Sequence, residues 1–175
     1  MEQISKGNGG SCVLSAYSSS VINLSNHLTT SLGITAQYFT LNKNWTVEPR
    51  AALKWSFNPK HALALAYGLH SRREKLDYYF VEQEANGKTK SNRYLDFSKA
   101  HHFGLTYDWN INSYMHLKVE PYYQYLFRIP VEENSSFSII NHQSFYLDRT
   151  LKNRGSGVNY GIDTVSYTHL RAHET

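Results

Sequence analysis

The chain has 175 residues, of which 41% are hydrophobic, 14% aromatic and 18% charged, with a formal net charge of +4. Mean hydropathy is −0.53 and no run approaches the roughly 20 apolar residues of a membrane-spanning helix, so that element is excluded, as is a wholly disordered chain. Basic and acidic residues are interspersed without a basic stripe, so no nucleic-acid partner is expected; Cys12 stands alone, which excludes an intrachain disulfide and a cysteine-based zinc cluster.

The first residues, Met1 to Lys6, lack the charged region and apolar stretch of a signal peptide. The chain is therefore expected to be unexported or an internal piece of something longer. Residues 12–22 form a weakly patterned strand with Val13, Tyr17 and Val21 in phase, followed by a turn at 23–27. Next, Leu28, Thr30, Leu32, Ile34, Ala36 and Tyr38 alternate with Thr29, Ser31, Gly33, Thr35 and Gln37. Such a period of two puts the sets on opposite faces of a strand. After a connection at 41–44, Val47, Pro49, Ala51, Leu53, Trp55 and Phe57 alternate with Thr46, Glu48, Arg50, Ala52, Lys54 and Ser56. Proline cannot donate to a ladder, so a bulge or locally broken pairing is expected at Pro49.

The turn Asn58-Pro59-Lys60 leads into Leu63, Leu65, Tyr67 and Leu69 set against Ala62, Ala64, Ala66 and Gly68. A long connection at 72–98 contains Asn86-Gly87, which suits a type I′ turn between 78–84 and 90–95. Phe103, Leu105, Tyr107 and Trp109 then oppose His102, Gly104, Thr106 and Asp108. Beyond the turn at 110–113, the run 115–128 puts Met115, Leu117, Val119, Pro121, Tyr123, Tyr125 and Phe127 on one face. A second long connection at 129–157 precedes Val158, Tyr160 and Ile162 set against Asn159, Gly161 and Asp163. No capped amphipathic helix interrupts the series, so the chain reads as all-β, with about seven strands.

Short turns and longer connections alternate, so one end of an up-and-down meander carries tight turns and the other carries loops. Several runs reach the 9–11 residues that a tilted membrane strand needs. Aromatic residues sit near strand ends (Tyr38, Trp45, Phe57, Trp109, Tyr114, Tyr125, Phe127), where interfacial girdles lie. An antiparallel transmembrane barrel, incomplete at seven strands, is the expected architecture. A soluble β-sandwich or lipocalin-like barrel alternates in the same way, because periodicity cannot say which way the apolar face looks.

Glu48-Pro49-Arg50, Asn58-Pro59-Lys60-His61, Tyr67-Gly68-Leu69-His70, the run 99–108, Lys118-Val119-Glu120-Pro121-Tyr122-Tyr123-Gln124 and the run 155–163 follow one another in order. Together they resemble the barrel of TonB-dependent outer-membrane receptors, most closely the Bacteroidetes branch, over roughly residues 12–164. The resemblance implies a place in the outer membrane against its lipid, and no cofactor. It also implies a plug domain inside the barrel, a TonB complex that pulls the plug, and a scarce small solute taken in from outside. Barrels of that family close with roughly 22 strands, so residues 1–164 would be one part of such a barrel. Residues 165–175 look different and match a translated sequencing adapter, which would make His169 and His173 an artefact pair. A non-energised porin or adhesin barrel and a soluble β-sandwich binding module remain the alternatives.

No catalytic or metal constellation is expected, because the adjacent rings of His101 and His102 must point to opposite faces of a strand. His70, His102 and His116 fall on polar faces and could line a lumen. The segment 155–161 lacks dinucleotide-fingerprint spacing, Gly7 to Gly10 reads as a turn, and the Asn134-Ser-Ser sequon would be idle in a bacterial outer membrane. Glu48, Arg50, Lys54, Lys118, Glu120, Tyr122, Gln124 and Asp163 would be costly in lipid and are expected to face the lumen or plug. Tyr78, Tyr79, Phe80, Phe137, Phe145 and Tyr146 lie in the long loops, where capture of an external solute and packing of the loops on each other are equally expected.

Overall fold

A computed structural model describes residues 10–85, 88–133, 135, 137–141 and 147–168. The Asn86-Gly87 turn, Gly7, Asn134, Phe145, Tyr146, His169 and His173 lie outside the described residues. The described chain is built of antiparallel strands joined by turns, loops and short 3-10 segments. Seven long strands, β1 (Val13–Ser25), β2 (Leu28–Phe39), β3 (Asn44–Asn58), β4 (His61–Arg72), β7 (Ser98–Asn110), β8 (Met115–Glu132) and β9 (Leu151–Thr168), form one sheet. Their order is the meander β1-β2-β3-β4-β7-β8-β9, open at β1 and β9. Residues 165–168 continue β9 in register with Met115–Lys118. The remaining strands, β5 (Glu82–Ala85) and β6 (Lys88–Ser91), form a separate hairpin inside the loop between β4 and β7.

The tight connections 26–27, 59–60 and 111–114 share one end of the sheet, and 40–43, 73–97 and 133–150 share the other. That alternation follows from the meander. Three details differ from the pattern in the sequence. First, β8 and β9 run further toward the loops than period two indicates, because a bulge at Arg128 (φ 54°) re-aims the strand and pairing resumes at Ile129 and Gly155. Second, the hairpin in the first long loop is shorter, flanked by 3-10 turns at Leu76–Phe80 and Asn92–Tyr94. Consecutive Tyr78 and Tyr79 are both buried there, which a strand's alternation would not allow. Third, Pro49 pairs Ile34 of β2 without a register shift, whereas the β3–β4 ladder stops at Arg50 and Gly68. The interruption expected at Pro49 lies on the β4 side.

Register sorts the side chains into two faces. One carries Leu32, Ile34, Leu53, Trp55, Leu63, Leu65, Leu105, Val119, Pro121 and Ile162. Near the tight turns it bears an aromatic band in which Trp55, Phe57, His61, Tyr107 and Trp109 are ring neighbours at 5.2–5.9 Å. A second band toward the loops joins Tyr67, His101, Phe103, Tyr123, Tyr125 and Phe127. Between the bands, among the described residues, this face has no Lys, Arg, Asp or Glu; Lys99, opposite Phe127, is the first charge beyond. Many of these large apolar residues are open, Leu65 to 57% of its surface.

The opposite face is polar and small-sided. It is concave, since a cavity of about 480 Å³ is lined by Val21, Gly33, Arg50, Gly68, Gly104 and Tyr122, one from each of six successive strands. Val13, Tyr17 and Val21 of β1 lie on this concave side, beside Phe39, Thr35 and Ser31. Their shared phase is real, but their neighbours are the polar set.

Burial is concentrated in the loops. Phe39, Tyr78, Tyr79, Val81, Leu95, Phe97, Leu147 and Leu151 make one cluster at the long-loop end, with Phe39 and Tyr79 in edge contact at 5.2 Å. Asn92, fully buried, ties it together: its side chain donates to the Arg149 carbonyl (2.9 Å) and accepts from Leu151 N–H (2.7 Å). Asn153 does the same for Asp96, accepting from its N–H at 2.7 Å and donating to its carbonyl at 3.1 Å. Amides satisfied in this way, Asn92 buried and Asn153 half-buried, make the loops a packed cap.

Candidate functional site

All eight polar residues singled out from the sequence share the concave face, and they differ in how much of each is free. Glu48 is 2% exposed. Where the β3–β4 ladder stops, its Oε1 accepts from Ser71 N–H (3.1 Å) and Gln37 Nε2 (2.9 Å), and its Oε2 from Arg50 Nη2 (3.1 Å). Thr46 and Ser71 hydroxyls meet across the same seam at 2.8 Å. A carboxylate thus substitutes for missing ladder bonds, and its lone pairs are spent within the wall. Arg50, half exposed, keeps part of its guanidinium open to the cavity.

Lys118 and Glu120 form an ion pair at 2.8 Å, and Thr106 donates to Glu120 at 3.0 Å. Asp163 faces Glu120 directly across β8 and β9, and Lys118 stands opposite Asp108 of β7. Lys54 stands opposite Thr29 and Ala64 and is exposed. Tyr122 lies over Gly161, whose added Cβ would come within 2.7 Å of the phenol oxygen. Gln124 accepts from Asn159 at 3.2 Å and stands 3.4 Å from Nδ1 of His102.

His101 and His102 do point apart. His101 stacks on Phe127 on the apolar face and meets the Tyr67 hydroxyl at 3.0 Å. His102 lies on the concave face beside His70, ring centres 4.5 Å apart. His116 contacts Asn110 (2.7 Å) and Asp108 (3.3 Å) near the tight-turn end. Among the described residues no group of three or more His, Cys, Asp or Glu is placed to hold a metal ion.

At the loop end, Tyr78 and Tyr79 are given to packing and present no surface to a solute. Burial pushes the Tyr79 phenol above its ordinary value. Phe80 and Phe137 are half-buried, and the Arg149 guanidinium lies over the Phe137 ring at 4.8 Å. Among the described residues of the two long loops, the open aromatic is Tyr94, 78% exposed. It borders a cavity of about 540 Å³ lined also by Lys90, Glu132, Glu133, Lys152 and Asn153. Here the hydrogen bond from Lys152 (2.7 Å) holds the Glu133 carboxyl below the ordinary carboxylate range. A further cavity of about 450 Å³ under the loops has Glu74, Ser98 and Lys99 on its polar side and Leu126, Ile129, Ile139 and Ile140 on its apolar side. Glu74 is buried and accepts from the Ser98 hydroxyl at 2.6 Å.

Tyr94, Glu74, Asn92 and Asn153 carry no period-two signal, which is why the sequence pattern passes over them. Asn92 and Asn153 flank hairpin and strand ends, where an amide is an ordinary turn residue until its partners are known. No protein family matches the chain, and no curated protein is significantly similar to it.

Proposed function

We propose that the sheet is an arc of a transmembrane β-barrel in an outer membrane, its apolar face against lipid and its concave face toward a lumen. The observation that carries this reading is the division of faces over seven strands. One face is aliphatic between two aromatic bands, uncharged between them and largely open. The other carries the charges, cavities and small residues. In water, so much contiguous apolar surface would drive aggregation or demand a second covering layer; in a bilayer it matches an apolar belt flanked by girdles. The strands, 12–18 residues long, suit that setting, whereas soluble strands cluster near five or six.

With the motif order given above, the reading extends to a TonB-energised receptor that binds a scarce solute at the loop rim and imports it past a plug. On this reading the chain carries out no chemistry of its own. Trp45, Trp55 and Trp109, the chain's three tryptophans, all lie on the apolar face near its ends. In vesicles, their fluorescence is expected to be quenched by lipids brominated near the start of the acyl chain. A sharp, reversible, monomeric unfolding transition in buffer without detergent would sink the barrel reading. An upstream plug sequence in the source DNA would separate an energised receptor from a porin or adhesin barrel.

A further inference from the structure

The two cavities of the concave face meet at one pair of residues. The central cavity and the one under the loops share His70 and His102 and no other lining residue. The rings stand 4.5 Å apart between centres and are tilted by 51°, which is not parallel stacking. An ion held at about 2.0–2.1 Å by one nitrogen of each ring, with the two bonds near a right angle, brings ring centres to about 4.5 Å. Such an angle is that of square-planar and tetragonal sites, the geometry of copper(II) and nickel(II).

Two neighbours fit the same purpose. Gly68 leaves the space into which His70 fits, since a Cβ there would lie 2.7 Å from its Nε2. Arg50, which lines the central cavity, is already paired with Glu48, which reduces its opposition to a second positive charge.

We propose that His70 and His102 form a two-imidazole site for a divalent late-transition cation, copper(II) or nickel(II), at the passage between the two cavities. No third protein ligand stands there among the described residues. The remaining positions are open to water or to donor atoms of a chelating solute in either cavity. The site belongs to the concave face and stands apart from what the apolar face contacts.

The test is a copper(II) titration of the full chain, in whichever solvent keeps it folded, with His169 and His173 replaced by alanine. Calorimetry is expected to give one equivalent, and paramagnetic resonance a tetragonal signal with nitrogen coupling. His70→Ala and His102→Ala are each expected to weaken binding by more than the roughly tenfold cost of an outer-partner change. Gly68→Ala should weaken it by displacing the His70 ring, and His116→Ala should leave it unchanged. Far-UV circular dichroism follows the sheet in every variant, and His70→Gln and His102→Gln replace any alanine variant that loses it. Absence of binding, binding indifferent to both substitutions, or equal loss in His116→Ala would overturn the assignment.

Discussion

Adjacent residues on β4 give the sharpest test of which face meets lipid. Leu65 pairs Leu53 on one side and Leu105 on the other, all on the apolar face, while Ala64 pairs Lys54 and Thr106 on the concave face. An arginine on the lipid face of a barrel costs about 2–4 kcal/mol at the midplane and less toward the interfaces. Leu65 lies two residues from Tyr67 of one band and two from Leu63, which is level with Trp55 and Tyr107 of the other. It therefore stands midway between the bands, and the cost is at least about 2 kcal/mol. At Ala64 the arginine meets water and one like charge, Lys54, directly opposite, worth at most about 1 kcal/mol. Ala64→Glu would turn that repulsion into attraction and cost less still. Urea titration of tryptophan fluorescence in lipid bilayers is the assay. Leu65→Arg is expected to reduce the folded-to-unfolded ratio by at least about thirtyfold, with Ala64→Arg well behind and Ala64→Glu nearly neutral. Equal midpoints for Leu65→Arg and Ala64→Arg would refute the placement of this strand.

Tyr79→Ala, which empties the centre of the loop cluster, is expected to cost about 3–5 kcal/mol and to expose residues 73–97 to protease while the sheet persists. Because burial raises the Tyr79 phenol, its contribution to cap stability is complete below about pH 10. It is lost as pH rises through the raised native value, and Tyr79→Phe should remove that alkaline loosening in a proteolysis series. Gly161→Ala drives a methyl into the Tyr122 ring and should destabilise by about 1–3 kcal/mol. Measured in a Tyr122→Ala background, the same change should cost far less, and additivity of the two would show that the ring is not seated on the glycine. On the proposed barrel reading, a tag at Asn86 of the full-length protein is expected to label on whole cells, and labelling only after permeabilisation would invert the topology.

The alternation of β2, β3, β4, β7 and β8 was legible because each strand has one apolar and one polar or small-sided face, and period two records that contrast directly. End asymmetry was legible for the same reason: turn residues punctuate the chain. Assigning β1 to a face failed on sequence because serines fill both of its faces, so only its register with β2 shows where Val21 points. Glu48 read as a free polar group, whereas its burial depends on where the β3–β4 ladder ends. The His70–His102 contact joins strands separated by a long excursion, and nothing in either strand alone fixes their relative register. Tyr78 and Tyr79 fit solute capture and loop packing equally well from sequence, because the amides that decide for packing, Asn92 and Asn153, are ambiguous until paired.

The seam held by Glu48 divides the wall mechanically. Toward the loops, residues 44–49 are hydrogen-bonded in ladder fashion only to β2, and 69–72 only to β7. Three strands and four strands thus form two panels, joined over this stretch by side chains of Thr46, Glu48 and Ser71. A side-chain bridge can lengthen by rotating about its own bonds, which a backbone ladder cannot do without breaking. Force applied at the loop cap would therefore open the wall first along this line, with the tight-turn end acting as the pivot. The Arg50 guanidinium, bound to the same carboxylate, would move with the β3 panel and carry the edge of the central cavity with it.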